Sequence, residues 1–137
     1  MQYLYRWLDR IPGDLVALVA RLATFIVFWR SGRVKLDDWS GTLGLFETEY
    51  ALPLLSPWLA AYLATGLELG GSVLVLLGLG TRLTALAFLG MVATIQVFVY
   101  PQAWPTHLQW TAFLLLLVAR GPGRWSLDGR IDRHHRP

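Results

Sequence analysis

Residues 58–80, WLAAYLATGLELGGSVLVLLGLG, run for 23 positions with a single charged side chain, Glu68, near the middle. A helix of that length rises about 1.5 Å per residue and matches the roughly 30 Å hydrocarbon core of a bilayer. Read this way, the stretch is a membrane span and Glu68 sits at bilayer depth, where an ionisable group requires a partner or a task.

Three further apolar segments flank it, at 14–31, 82–100 and 103–120. Stretches such as Ala112-Phe113-Leu114-Leu115-Leu116-Leu117-Val118 are apolar on every face, which a soluble bundle with a polar exterior does not tolerate. The first segment lacks a small-residue cleavage site and runs directly into Arg30, Arg33 and Lys35, so it reads as a retained span and not a secretory signal. The expected fold is all-α: a four-helix transmembrane bundle with a short amphipathic interfacial helix in the first outer loop.

Composition agrees. Of the 137 residues 55% are hydrophobic and 15% charged, and the mean hydropathy is +0.46, as expected of one membrane domain. With no cysteine, the chain has no disulfide, thiolate metal site or thiol redox couple. The net charge of +3 comes mainly from arginines near the ends and reads as an orientation signal, with the lipid bilayer as partner and no nucleic acid.

Orientation follows from basic residues in short loops. Arg6, Arg10, Arg82, Arg120, Arg124, Arg130, Arg133 and Arg136 fall on the side of the termini, against Arg30, Arg33 and Lys35 on the other. Both termini are thus expected in the cytoplasm, for a multi-pass protein of the bacterial cytoplasmic (inner) membrane. Residues 1–13 form a cytoplasmic segment, 14–120 the membrane domain, and 121–137 a basic cytoplasmic tail expected to be disordered. In that tail His134 and His135 are adjacent and lack a spaced third ligand, so no metal site is expected. Trp29, Trp39, Trp58, Tyr100, Trp104 and Trp110 gather at the outer ends of the segments, an aromatic belt.

In the outer connection Trp39, Leu43, Phe46 and Tyr50 recur at helical spacing, with Glu47 and Glu49 opposite. They define a short amphipathic helix, lying in the interface or folded over the bundle mouth. Gly66 and Gly70 bracket Glu68 as a small-xxx-small pair, and with Gly71, Gly78 and Gly90 they predict close helix packing. Thr106 is the expected N-cap of the last span.

For Glu68 the apparent cations are Arg21 and Arg30. They are nine positions apart, about 900° of helical rotation, and so face opposite ways; Arg21 has the alternative of snorkelling toward its own end. Gln96 and Tyr100 are four residues apart, with His107 at a similar outer level. Together with Arg30, Lys35 and Trp104 these define a possible outward-opening pocket around a ligand-binding or proton-handling Glu68. The plainer reading makes Tyr100, Trp104 and His107 interface anchors and Gln96 an interhelical hydrogen bond.

Two motifs carry a family resemblance. Trp29-Arg30-Ser31-Gly32-Arg33-Val34-Lys35-Leu36 resembles the Ser/His-Gly-x-x-Lys-Leu signature of the DoxX family, small four-helix membrane proteins of bacteria. Glu68 with Gly71, then Gly78-Leu79-Gly80-Thr81-Arg82-Leu83-Thr84-Ala85, is similar to that family's Glu-x-x-Gly followed by Gly-Leu-x-Thr-Arg-x-Ala. The resemblance spans roughly 16–120. It implies association with membrane redox or stress-response systems, as an accessory subunit more than a stand-alone enzyme, with a quinone as a possible ligand. The rival readings are a small transporter for a metal ion, proton or organic solute, with Glu68 on the path, and a structural anchor for a membrane or cytoplasmic protein partner. Oligomerisation is left open by the sequence.

Overall fold

In the computed structural model, which describes residues 1–135, every regular element is helical among the described residues. A short exposed helix α1 (Gln2–Leu8) precedes α2 (Gly13–Asp37). Asp38 ends α2 and caps the next helix, accepting from the Gly41 backbone N–H at 3.0 Å; α3 (Trp39–Thr48) follows at once. Ser56 caps α4 (Pro57–Gly66), which has Pro57 in its first turn.

From there the helix continues without a break through a π turn, Leu67–Gly71, into α5 (Ser72–Leu77). A π turn inserts extra backbone into an α-helix and changes which way its side chains point. Glu68 sits inside it, a feature the apolar run did not predict. The remaining elements are α6 (Thr81–Phe98), α7 (Trp104–Arg120) and α8 (Leu127–His134).

Three of these helices, α2, the continuous Pro57–Leu77 and α6, are long and apolar enough to cross a membrane. The fourth expected span, α7, has 17 residues and packs against α2 and α6. The buried core of Phe28, Val75, Ala85, Phe88, Val92, Leu114 and Leu117 lies between these helices. Phe28 and Phe88 stack with centroids 4.2 Å apart.

Several expectations need correction. Space is open beside Gly66, Gly70 and Gly90, so these are not the points of close approach. Close approach does occur at the expected Gly71, where a Cβ would meet Phe88 at 3.0 Å, and at the expected Gly78, where it would meet Ser126; Gly32, where it would come within 2.8 Å of Leu69, is a further one. α7 begins after Ala103 with no side-chain cap, since Pro105 already fixes its first turn; Thr106 is not the N-cap. Tyr100 lies beyond the end of α6, so it does not continue the helical face of Gln96.

The largest difference is the tail. Residues 121–135 are folded, not disordered. Ser126 is buried and caps α8 by accepting from the Gly129 N–H at 3.0 Å. Asp128 accepts from the N–H groups of Gly80 and Thr81 at 3.0 and 3.1 Å, capping α6, and Arg124 N–H donates to Asp14 at 2.8 Å. The unmet donors of a helix start thus find their carboxylate in a distant part of the chain, which composition alone does not register. Arg136 and Pro137, also assigned to the tail, lie outside the described residues.

Candidate functional site

Glu68 is 3% exposed, held inside the helices and away from the periphery. Its partner is Lys35, from the last turn of α2. The Lys35 ammonium donates to Glu68 Oε2 at 2.8 Å, to Oε1 at 3.1 Å and to Ser31 Oγ at 2.9 Å, and the Ser31 hydroxyl donates to Glu68 Oε1 at 3.1 Å. Ser31 and Lys35 are one turn apart on α2 and converge on the carboxylate from one side. Gly32 lies between them, and its missing side chain lets α2 reach the π turn, with Glu68 Cβ and Leu69 immediately opposite.

Neither expected cation reaches this site. Arg30 is exposed and is not among the residues that line the cavity beside Glu68. Arg21, 3% exposed, donates from Nε to the Val75 carbonyl at 3.0 Å, from Nη1 to Trp125 O at 2.7 Å, and from Nη2 to Leu76 O. It therefore closes the carbonyl end of α5 and ties the tail to it.

The Lys35–Glu68 pair faces a cavity of about 500 Å³ at the end of the helices remote from the termini. Val27, Phe28, Leu67, Met91, Ile95 and Trp110 form much of its wall, so an ion pair held together with Ser31 by four hydrogen bonds looks into a space that is otherwise mostly apolar. α3 covers it. Phe46 and Tyr50 belong both to the cavity lining and to the cluster that seats α3 on Ala60 and Ala61 of α4. The Tyr100 hydroxyl donates to Glu49, and the Tyr50 and Tyr100 rings meet edge to face at 5.6 Å. The Glu49 carboxylate, and secondarily Tyr50, hold the Tyr100 phenol well above its ordinary pKa. The amphipathic spacing of 39, 43, 46 and 50 is thus that of a cover.

His107 lies on the far wall, buried. Gln96 Nε2 donates to Pro101 O at 3.0 Å, leaving Gln96 Oε1 as the acceptor that meets His107 Nδ1 at 2.7 Å. That pattern puts the proton on Nδ1, and in the neutral ring Nε2 is then an acceptor.

Of the residues singled out by sequence, Lys35, Glu68, Tyr100 and His107 share one cavity, and Gln96 stands behind His107 as its orienting group. Arg30 and Trp104 do not line it; Trp104 is 59% exposed at the start of α7. Sequence alone does not single out Lys35 as the counter-ion of Glu68 or Glu49 as the partner of Tyr100, and it marks Ser31 only as a motif residue and Trp110 only as part of the aromatic belt. A signal for the first was available. Lys35 lies fourteen positions beyond Arg21, about 1400° of rotation, which returns it to within about 40° of the same face of α2. Phe28, midway between them, is buried on that face.

Comparison with known proteins adds the following. The sequence profile of the DoxX family matches residues 16–101. Inner membrane protein YqjF of Escherichia coli (strain K12) is 28% identical over 129 residues, covering 88% of this chain and 95% of that protein. No solved structure matches.

Proposed function

The chain belongs to the DoxX family, and on that premise we propose that its four long helices all cross the bacterial inner membrane, with both termini in the cytoplasm, to hold a small hydrophobic ligand of quinone type beneath α3. The observation that carries this reading is the nearly dry Lys35–Glu68 pair opening onto an apolar cavity of about 500 Å³, within the size range of small-molecule sites. An ion pair placed there solely for stability is poorly motivated, since apolar packing of equal volume serves as well or better.

The chemistry suits a flat ring with oxygens at opposite edges. Phe28, Phe46 and Trp110 supply aromatic walls, Lys35 a hydrogen-bond donor, and Glu68 and His107 Nε2 proton acceptors. Leu55 and Leu63, 38% and 55% exposed, stand at the cavity edge, which favours entry from the acyl-chain region. Having no cysteine, the chain carries no thiol couple of its own. In this reading it is an accessory subunit that binds and orients the ligand and handles its protons, while a partner supplies electrons.

Quenching of tryptophan fluorescence by decylubiquinone, titrated into the purified protein in nanodiscs, tests the site. Glu68→Gln and Lys35→Ala should each weaken binding about tenfold, the effect of losing one charge-assisted hydrogen bond. Unchanged affinity in both variants rejects the reading.

A further inference from the structure

At the opposite end, a second cleft of about 670 Å³ lies between the start of α2, the α5–α6 turn, the end of α7 and α8. Four arginines line it, Arg82, Arg120, Arg124 and Arg133. Two of them are already engaged. Arg82 donates to Val118 O at 3.0 Å and to Ala119 O at 3.4 Å, and Arg133 donates to Gly129 O and Arg124 O at 3.0 and 3.1 Å. Among the described residues the guanidinium groups of Arg120 and Arg124 have no hydrogen-bond acceptor.

Three carboxylates, Asp14, Asp128 and Asp132, share the cleft, yet none forms an ion pair with these arginines among the described residues. Asp14 and Asp128 are directed at backbone N–H groups instead, as the fold requires. Among the described residues, two guanidinium groups without an acceptor therefore remain at one mouth. Beside them the lining turns apolar, with Leu83 75% and Ile131 48% exposed. Leu127, one turn before Ile131 on α8, and the exposed Trp125 lie instead in a separate recess with Leu76 and Leu77. A basic recess with an adjoining apolar ledge, at the end of membrane-length helices, has the chemistry of a lipid headgroup region.

We propose that this cleft binds an anionic glycerophospholipid of the leaflet on the side of the termini, its phosphodiester on Arg120 and Arg124 and its acyl chains along Leu83 and Ile131. A bidentate guanidinium matches the oxygens of a phosphodiester, and the neighbouring aspartates turn away a second negative charge placed deeper in the cleft. An acidic peptide would satisfy the arginines but leave Leu83 and Ile131 uncovered, so the lipid is the occupant that uses both parts of the wall. The site is separate from the Lys35–Glu68 cavity and stands or falls independently of it.

Native mass spectrometry of the full chain in mild detergent, titrated with phosphatidylglycerol or phosphatidylcholine of identical acyl chains, tests this. Phosphatidylglycerol should be retained about tenfold better, the order expected from two arginines near a lipid surface. Arg120→Gln with Arg124→Gln should abolish the preference; Arg30→Gln with Arg33→Gln, an equal charge loss at the other end, should preserve it. Equal retention of the two lipids by the unaltered chain overturns the proposal, as does a preference that survives the first pair or disappears with the second. Glycerol 3-phosphate or a glutamate-rich peptide in tenfold excess should leave the bound lipid in place, and displacement by either reassigns the cleft to a soluble phosphate ester or to a protein partner. Should the double variant fail to fold, the two single substitutions must each lower the preference, and two unaltered singles reject the assignment.

Discussion

Two inward-facing cations of α2, the buried Arg21 and the partly buried Lys35, have opposite surroundings. Arg21, near the terminal end, spends its guanidinium on three backbone carbonyls and is sealed by the tail, with Gly78 and Ser126 packed against each other beside it. Lys35, two heptads on, meets a carboxylate and a hydroxyl and leaves a cavity beside them. The difference separates architecture from function. A guanidinium that satisfies carbonyl groups the fold cannot otherwise meet needs no further explanation, whereas an ion pair beside empty apolar space does.

That contrast can be broken most severely at Lys35. Lys35→Ala strands Glu68 in a nearly dry site and should lower unfolding stability by about 3 kcal/mol, the lower end of what breaking a buried pair costs, because Lys35 keeps some contact with solvent. Replacing both partners by Met should recover most of this loss while abolishing quinone binding, separating stability from ligand recognition. Reversible unfolding in mixed micelles gives both numbers. If the pair is structural only, the double variant binds as the unaltered chain does. Next comes Arg21→Met, which leaves the carbonyls of Val75, Leu76 and Trp125 without their donor. A loss of about 2 kcal/mol is expected, together with faster proteolysis after Arg120, because the tail loses its attachment to α5. Ligand affinity should stay unchanged; if it falls, the two ends are coupled and the contrast is wrong.

Much of this was legible in the sequence. Apolar runs located the long helices, the spacing of Trp39, Leu43, Phe46 and Tyr50 located the cover, and position 68 stood out as a lone carboxylate. What was hidden depends on geometry that pattern does not encode. The π turn breaks the 3.6-residue period at Glu68 itself, so helical arithmetic could not say which neighbour it faces. The first apolar run ends at Ser31, which places Lys35 in the outer loop as a pocket residue at most, yet α2 continues to Asp37 and brings Lys35 against Glu68. The tail offers no hydrophobic pattern to mark it as ordered, because a few long-range bonds hold it, those of Asp128 and Arg21 above all.

A smaller effect is expected at Gly78, where the backbone takes φ +70° and a Cβ would collide with Ser126. Gly78→Ala should cost about 1.5 kcal/mol, combining the left-handed penalty with displacement of the tail. Gly66→Ala, at an ordinary helical position with open space around it, should be neutral or slightly stabilising. Equal effects at the two positions would mean that Gly78 has neither a left-handed backbone nor a contact with the tail.

The smallest change tests how wet each end is. Thr65, one turn before Glu68 in α4, and Thr81, at the start of α6 beneath Asp128, are both buried with hydroxyls that find no partner among the described residues. A hydroxyl left unbonded in a dry interior is a cost that Val removes without changing the shape of the side chain. Thr81 lines the arginine-rich cleft, where water can meet its hydroxyl, so Thr81→Val should be close to neutral. Thr65 lines neither space, although its neighbours Ala64, Leu67 and Glu68 border the apolar cavity, so Thr65→Val should stabilise the protein by about 1 kcal/mol. A larger gain at Thr81 than at Thr65 would mean that the terminal cleft is dry and the interior beside Glu68 hydrated, against the nearly dry surroundings assigned to that carboxylate.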